Sequence, residues 1–477
     1  MKHFYLSLIT LFLVALTTAC GGGDDDNTDT GGGGQTTSAP KVVSVSPVNG
    51  ATDIATGEVT VTLTYDQAIR LTSTSRSSIQ ISGGTVESIG ISNALLKIIV
   101  SCPTYNTTVA LTIPKGLVTN VSQQQAEAYS LSFTTVKETE PVSPSIPATP
   151  QTASTDAAKK LYSYFVEQYG QKTISSVMAN VNWNNECAEK VYKLTGKYPA
   201  MNCYDFIHVC FSPANWIDYT NIAPVEQWYQ AGGIVQLMWH FNVPKTQGGT
   251  DYTCTPSETT FKASNALVSG TWENQWFYGQ MDKVVATILK LQQAGIAATW
   301  RPFHEAAGNA TLKSGASWGK SWFWWGYDGA DTYKKLWVTM YDYFKQKGIN
   351  NLIWVWTTQN YNGDSSQYNL DADWYPGDQY VDIVARDLYG YNADKNLQEF
   401  TEIQAQYPNK MVVLGECGKG DDGDPSKMGD AWAKGAKWGH FMVWYQGGQG
   451  STDTMCSDAW WKDAMSCTDV ITRDQVK

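Results

Sequence analysis

The sequence predicts two folded domains, a small all-β sandwich followed by a (β/α)8 barrel. Three observations predict this. All 20 tryptophans lie at Trp183 or later, so the core chemistry changes along the chain. Residues 41–137 carry short segments that alternate apolar and polar with period two, the mark of half-buried strands. From about residue 154 onward, near-continuous apolar runs alternate eight times with helical patterns, as parallel barrel strands covered on both faces require.

The 477 residues are too many for one ordinary core. Residues 1–20 read as an export signal. Lys2 and His3 give a short basic start, and residues 4–16 are apolar but too few for a good membrane span. Thr17, Thr18 and Ala19 then lead into Cys20. A small residue before a lone cysteine just past an apolar stretch resembles a bacterial lipoprotein cleavage site, although Leu16 sits one place earlier than in the usual pattern. The resemblance implies Cys20 as a lipid anchor to the membrane. The expected location is the outer membrane facing the exterior, with the periplasmic face, or plain secretion, as alternatives. Residues 21–40, with glycine runs at 21–23 and 31–34 and Asp24, Asp25 and Asp26 between them, read as a flexible tether. Such an acidic cluster resembles the surface-export signal of lipoproteins in Bacteroidetes-type bacteria. A merely solvated linker has the same composition.

Within 41–137, strands are expected at 58–65, 79–81, 95–100, 109–113 and 129–134, separated by Gly, Asn and Pro turns. About 97 residues of this kind suggest an immunoglobulin-like sandwich. The stretches 45–54 and 65–69 resemble a bacterial Ig-like module common in surface proteins. No aromatic platform for sugar stands out there, which favours a spacer over a carbohydrate-binding role. Residues 138–153 hold Pro141, Pro144, Pro147 and Pro150, a spacing that favours an extended linker.

The last domain, 154–477, opens with a helical segment over 154–170. Strands are expected at 173–179, 199–206, 233–241, 297–305, 351–358, 382–389, 411–416 and 440–445. Gly196, Gly295 and Gly348 follow helical patterns as end signals. A doubly wound open sheet is the rival. It would more often carry a glycine-rich phosphate loop after its first strand, where Asn180-Val-Asn-Trp183 stands instead.

Composition narrows the partners. The net charge is −11, with 34 Lys and Arg against 45 Asp and Glu and no basic run. Binding to nucleic acid needs clustered cations, so a neutral substrate fits better. Beyond Cys20, eight cysteines remain. An even number in an exported protein permits disulfides, and buried free thiols are the alternative. Their spacing matches no zinc site, no phosphate loop is present, and neither cofactor nor metal is implied. The acidic run Asp421-Asp-Gly-Asp424 reads as a solvated loop ahead of a calcium site.

Active residues of such barrels sit at the C-terminal ends of strands. The fourth expected strand ends Trp300-Arg-Pro-Phe-His-Glu305 and the seventh ends Val413-Leu-Gly-Glu416. Two carboxyl groups facing one site are what glycosidic cleavage needs, one protonated as acid and one ionised as nucleophile.

Arg301-Pro-Phe-His-Glu305 with Trp322-Phe-Trp-Trp-Gly326 resembles the acid/base region of family-26 glycoside hydrolases. Leu414-Gly-Glu-Cys-Gly418 resembles that family's nucleophile region, and Trp239-His240, Asp387-Leu-Tyr389 and Val443-Trp-Tyr445 match further positions in order. The resemblance covers about residues 155–470. It implies a retaining endo-β-1,4-mannanase with Glu305 as acid/base and Glu416 as nucleophile. Residues 309–321 look like an insertion between the His-Glu pair and the Trp-rich segment.

Other strand-end residues have roles that fit. His304 precedes the acid/base, and His240 can orient a sugar hydroxyl. Tyr389 can hydrogen-bond Glu416, with Asp387 and Arg301 bracing the network and Asp205 placed similarly. Trp444, Trp322 and Trp325 offer flat faces to a pyranose ring. The expected partner is β-mannan, as polysaccharide or oligosaccharide, met by a monomer. The alternatives are a β-xylanase or mixed-linkage β-glucanase of the same family, an exo-acting variant, or a non-catalytic glycan-binding lipoprotein.

Overall fold

A computed structural model describes residues 38–137, 144–180, 183–311, 320–359, 371–421, 423–446 and 453–476. Cys20 lies outside them, as do the export signal and nearly all of the tether. The chain divides into two compact units, Met1–Glu138 and Thr139–Lys477.

The first unit is a sandwich of two four-stranded sheets. One sheet runs Val42–Ser46, Gly57–Tyr65, Leu95–Cys102, Thr85–Ser92; the other runs Ala51–Ile54, Tyr129–Thr135, Thr108–Ile113, Gln80–Ser82. The period-two pattern sets the faces. Val61, Leu63, Ile98, Val100, Leu111 and Phe133 point between the sheets and are almost fully buried, while the threonines between them face out. All five expected strands are present.

The second unit is a closed parallel barrel of eight strands: β1 (Thr173–Met178), β2 (Met201–Asp205), β3 (Ile234–Trp239), β4 (Ala298–Pro302), β5 (Leu352–Thr357), β6 (Ile383–Tyr389), β7 (Met411–Gly418) and β8 (His440–Val443). Strand β1 pairs with both β8 and β2, which closes the ring. Helix α1 (Asp156–Gln168) precedes β1. Then come α2 (Glu186–Thr195), α3 (Ala223–Gln230), α4 (Trp272–Gln293), α5 (Ala330–Gln346), α6 (Ala393–Gln406), α7 (Met428–Lys434) and α8 (Asp458–Ser466). Gly196, Gly295 and Gly348 follow their helices with positive φ, as end signals should. A helix was expected in every interval. Between β5 and β6 the described residues form only two short 3-10 turns, Ala372–Trp374 and Asp378–Tyr380.

The barrel has unlike ends. At the N-terminal end Ile174, Met201, Ile234, Ile353, Ile383 and Met411 form an apolar layer with Tyr162 and Phe165 of α1 packed against it. The end of the proline-rich segment seals this floor. Asp382 accepts hydrogen bonds from the backbone N–H groups of Gln151 (2.7 Å) and Trp354 (3.2 Å), and from the Thr152 hydroxyl. Ser145 donates its N–H to the Pro408 carbonyl at 2.9 Å. Higher up, Met178, Cys203, Met238 and Met442 form a soft, polarisable layer beneath the opposite mouth.

All eight cysteines among the described residues are free thiols, five of them buried. Asp424 accepts from the Ser457 N–H at 2.9 Å and from its hydroxyl, so the acidic loop is tied to the start of α8.

Candidate active site

Strand β4 ends at Pro302, short of Glu305, where the apolar run suggested its end. The chain then leaves through Phe303 (φ 50°) and Glu305 (φ 51°), both in the left-handed region. That conformation is strained for bulky residues, and such strain collects at functional sites. Glu305 is half-buried, and its Oε2 accepts a hydrogen bond from Trp322 Nε1 at 2.9 Å.

Glu416 reaches the same mouth by an irregularity. Along β7, Met411 and Val413 face the interior, so strict alternation would send Gly415 inward and Glu416 outward. A register shift intervenes: Leu414 pairs with Arg386, but Glu416 pairs with Asp387. This bulge brings Glu416 inward beside Asp387. Only glycine fits at its apex, since a Cβ at Gly415 would lie 2.6 Å from Asp387 Oδ1 and 3.0 Å from Arg301 Nε.

Arg301 is the hub. It is fully buried, with Nη1 donating to Glu416 Oε1 at 2.8 Å, Nη2 donating to Asp387, and Nε donating to Thr357 Oγ1 at 2.9 Å. Carboxyl oxygens of Glu305, Asp387 and Glu416 lie within 4.8 Å of one another. Three carboxyls at this spacing suit a hard cation, yet here the guanidinium already bridges two of them. Burial opposes the Arg301 charge, but Asp387 and Glu416 more than offset it and raise its pKa.

Three carboxyls cannot all ionise around one cation. Glu305 is pushed up to about 7, by burial first and then by the Glu416 charge, with Arg301 and the Trp322 hydrogen bond pulling the other way. Burial also raises Asp387 well above the usual range, helped by Glu416 and Glu305 and opposed by Arg301. Tyr389 donates its hydroxyl to Glu416 Oε2 at 2.5 Å. Burial and the nearby carboxylates raise its pKa, so it stays a phenol and a donor.

Two histidines adjoin the cluster. His304 Nε2 lies 3.7 Å from Glu416 Oε1. Burial, reinforced by His240 and Arg301, holds the His304 pKa well below its ordinary value. His240 stands edge-on to it, ring centres 4.3 Å apart. Asp205 grips His240 through the backbone N–H (2.9 Å) and Nδ1 (2.5 Å). Burial lowers the His240 pKa, but Asp205 outweighs it and the net shift is upward. The clasp fixes the ring's orientation.

The structure thus brings together Glu305, Glu416, Asp387, Tyr389, Arg301, His304, His240 and Asp205. Three of the expected side chains lie too deep to touch sugar. Arg301 and Asp205 have almost no exposed surface, so they act through the carboxylates and His240, not on sugar. Trp325 is fully buried; its Nε1 donates to the His304 carbonyl at 2.9 Å, and its ring stacks on Phe323 at 4.3 Å. It therefore supports the loop and presents no face to a ligand. Trp322 and Trp444 are half-buried, Trp444 lying 5.5 Å from the His240 ring. Most of the insertion, residues 312–319, lies outside the described residues.

Sequence reasoning missed three residues. Phe323 lies 5.2 Å from the His304 ring and 5.8 Å from the His240 ring. Thr357 holds Arg301, and the strand-end rule would have found it had β5 been ended one residue earlier. Gln359, just beyond β5, accepts the Gly308 N–H at 3.0 Å. No motif marks it.

Residues 36–135 match the bacterial Ig-like domain, and residues 149–463 match glycosyl hydrolase family 26. Among solved structures, the chain is similar to the family-26 domain of an endo-β-mannanase/endo-β-glucanase from Prevotella bryantii, at 55% identity and TM-score 0.66, covering 69% of this chain and 99% of that one. It is also similar to a β-mannanase from a symbiotic protist of the termite Reticulitermes speratus, solved with gluco-manno-oligosaccharide, at 31% identity and TM-score 0.57, covering 70% and 98%. Mannan endo-1,4-β-mannosidase B of Piromyces sp is 31% identical over 299 residues, covering 60% of this chain and 46% of that protein. The chain spans about half the length of the first curated relatives it matches. With the family match running across most of the barrel unit and about two thirds of the whole chain, the protein belongs to glycosyl hydrolase family 26.

Proposed function

We propose that the chain is a retaining endo-β-1,4-mannanase, acting on mannan, galactomannan and glucomannan, with Glu416 as nucleophile and Glu305 as acid/base. The observation that carries this reading is the spacing of their carboxyl oxygens, within 4.8 Å. Retaining enzymes hold the two groups about 5–5.5 Å apart, whereas inverting ones leave about 6.5–9.5 Å for a water.

Glu416, held by Arg301 and Tyr389, attacks the anomeric carbon. The glycosidic C–O bond breaks as Glu305 gives its proton to the leaving oxygen, and an ester joins sugar to Glu416. Glu305, now ionised, takes a proton from water as that water attacks the same carbon. The ester breaks, Glu416 is freed, and Glu305 regains its proton. The names of the relatives above support β-mannan as substrate.

The test is product analysis on galactomannan, glucomannan, xylan and barley β-glucan, with Glu416→Ala beside the wild type. Manno-oligosaccharides of mixed length from the wild type alone support the proposal. Exclusive release from xylan or β-glucan refutes the substrate. Binding without release refutes the enzyme and leaves a glycan-binding protein.

The proposal extends to the chain's layout: an export signal over 1–20, a lipid on Cys20, a tether over 21–40, an Ig-like spacer over 41–137, a linker over 138–153 and a catalytic barrel over 154–477. The protein is then a monomer anchored at the outer membrane. Loss of membrane retention in Cys20→Ser, with protease access in intact cells, tests anchor and face together.

A further inference from the structure

Arg301 is held by acceptors on three other strands. Nη1 reaches Glu416 of β7 at 2.8 Å and Nη2 reaches Asp387 of β6, while Nε reaches the Thr357 hydroxyl of β5 at 2.9 Å. Two of these acceptors are carboxyl groups, whose pull on a cation depends on their charge. The hydroxyl of Thr357 is neutral throughout.

The strand itself places Thr357 for this contact. Ile353 and Val355 of β5 belong to the apolar floor inside the barrel, and alternation then sends Thr357 inward as the last residue of the strand. Its Cα partner on β6 is Ala385, whose side chain is too short to block a guanidinium. Thr357 is only 3% exposed, so its oxygen serves Arg301 and not solvent. A β-branched side chain has few rotamers, which makes this hydroxyl a stiff anchor. A guanidinium is planar, with its N–H groups in a fixed fork. Holding Nε–H therefore sets the directions in which Nη1 and Nη2 point. Nη1 also meets Met238 Sδ at 3.9 Å, too weak an acceptor to replace a carboxylate.

In the double displacement described above, Glu416 passes from carboxylate to ester and back. As an ester it has lost its charge, and its pull on Arg301 falls. The balance between the two carboxyl groups that share the guanidinium is then upset. Yet the second step needs Nη1 where it was, because Glu416 leaves the sugar as a carboxylate and its returning charge must be met by a donor already in place.

We propose that Thr357 is a positioning residue for this second step: its hydroxyl keeps Arg301 aimed at Glu416 while Glu416 carries the sugar. This role rests on the retaining reading, since only a covalent intermediate discharges Glu416.

The experiment follows dinitrophenolate release from a dinitrophenyl β-mannobioside by stopped flow, in wild type, Thr357→Val and Thr357→Ser. This leaving group departs without help from an acid. Val puts a methyl where the hydroxyl was, and Ser keeps the acceptor. Thr357→Val is expected to give a burst equivalent to the enzyme present, followed by turnover slowed roughly 10²-fold, the scale for a slight misplacement at a reacting centre. Thr357→Ser restores most of the turnover. Burst and turnover slowed alike, a Ser variant as slow as the Val one, or no loss overturns the proposal. Should Thr357→Val not fold, Thr357→Ala removes the same acceptor without a new methyl and is judged by the same burst. The anomer first released by the wild type, read by NMR, judges the retaining reading separately. Inversion sinks that reading, whereas retention with an unchanged burst sinks only the role of Thr357. If the wild type cuts a different β-glycan, the aryl glycoside is changed to match.

Discussion

Tyr389 and Glu416 meet across β6 and β7, the phenol donating to Oε2 at 2.5 Å while Arg301 holds Oε1 from the other side. Both carboxyl oxygens of Glu416, the proposed nucleophile, are therefore committed to donors before substrate arrives. Tyr389→Phe removes one donor without creating a large void. We expect kcat to fall about 10²–10³-fold, the range for losing one such preorganised donor, with an unchanged melting temperature. Steady-state kinetics with thermal unfolding checks both.

The raised pKa of Glu305, about 7, sets the alkaline side of the activity profile. In its proposed role as acid, Glu305 must be protonated to act, so kcat/KM is expected to fall as pH rises through about 7. The same shift has a consequence for stability. Folded Glu305 keeps its proton to about 7, whereas an unperturbed glutamate loses it near 4.5. The folded state then binds more protons, and stability declines as pH rises between those values. Glu305→Gln is expected to abolish the activity and to flatten that decline, as chemical denaturation across the pH series will show.

Gly415→Ala tests the bulge. Its new Cβ meets Asp387 Oδ1 at 2.6 Å and Arg301 Nε at 3.0 Å, and neither can yield without disturbing Glu416. We expect a loss of about 1–3 kcal/mol in stability, as for overpacking, and at least about a 10²-fold loss in kcat, as for a small displacement of reacting groups. Denaturant titration and turnover on mannan measure the two.

Gln359 holds the turn behind Glu305 through the Gly308 N–H, and its own N–H is taken by Asp371. Gln359→Ala frees that turn and admits water toward Glu305. The alkaline limb of the pH profile is expected to move to lower pH, toward the ordinary carboxyl range, with kcat/KM down about tenfold, the size of one lost buried hydrogen bond. A uniform loss of activity with an unmoved limb refutes the role.

Much of this was legible in the sequence because two simple periods govern it. Alternation of Val and Thr placed the sandwich strands, and buried runs ending in Glu305, Tyr389 and Glu416 marked the barrel mouth. What escaped has physical causes. The run through Glu305 looks like strand because apolar composition carries no signal for the left-handed turn at Phe303. Trp325 looks like a sugar platform because burial is decided by neighbours distant in sequence. The bulge at Gly415 hides behind a residue with no side chain, and Gln359 acts on a backbone group of another loop.

The floor of the barrel has a different meaning for anyone wishing to alter this protein. Thr152, Asp382 and α1 lock the end of the barrel away from Glu305 and Glu416. Hardening against heat and tuning of turnover are thus assigned to opposite faces, so one can be engineered while the other is left as it stands. The same seal fixes how the barrel can be moved between hosts: a graft that keeps the chain from Ser145 onward carries its own plug with it.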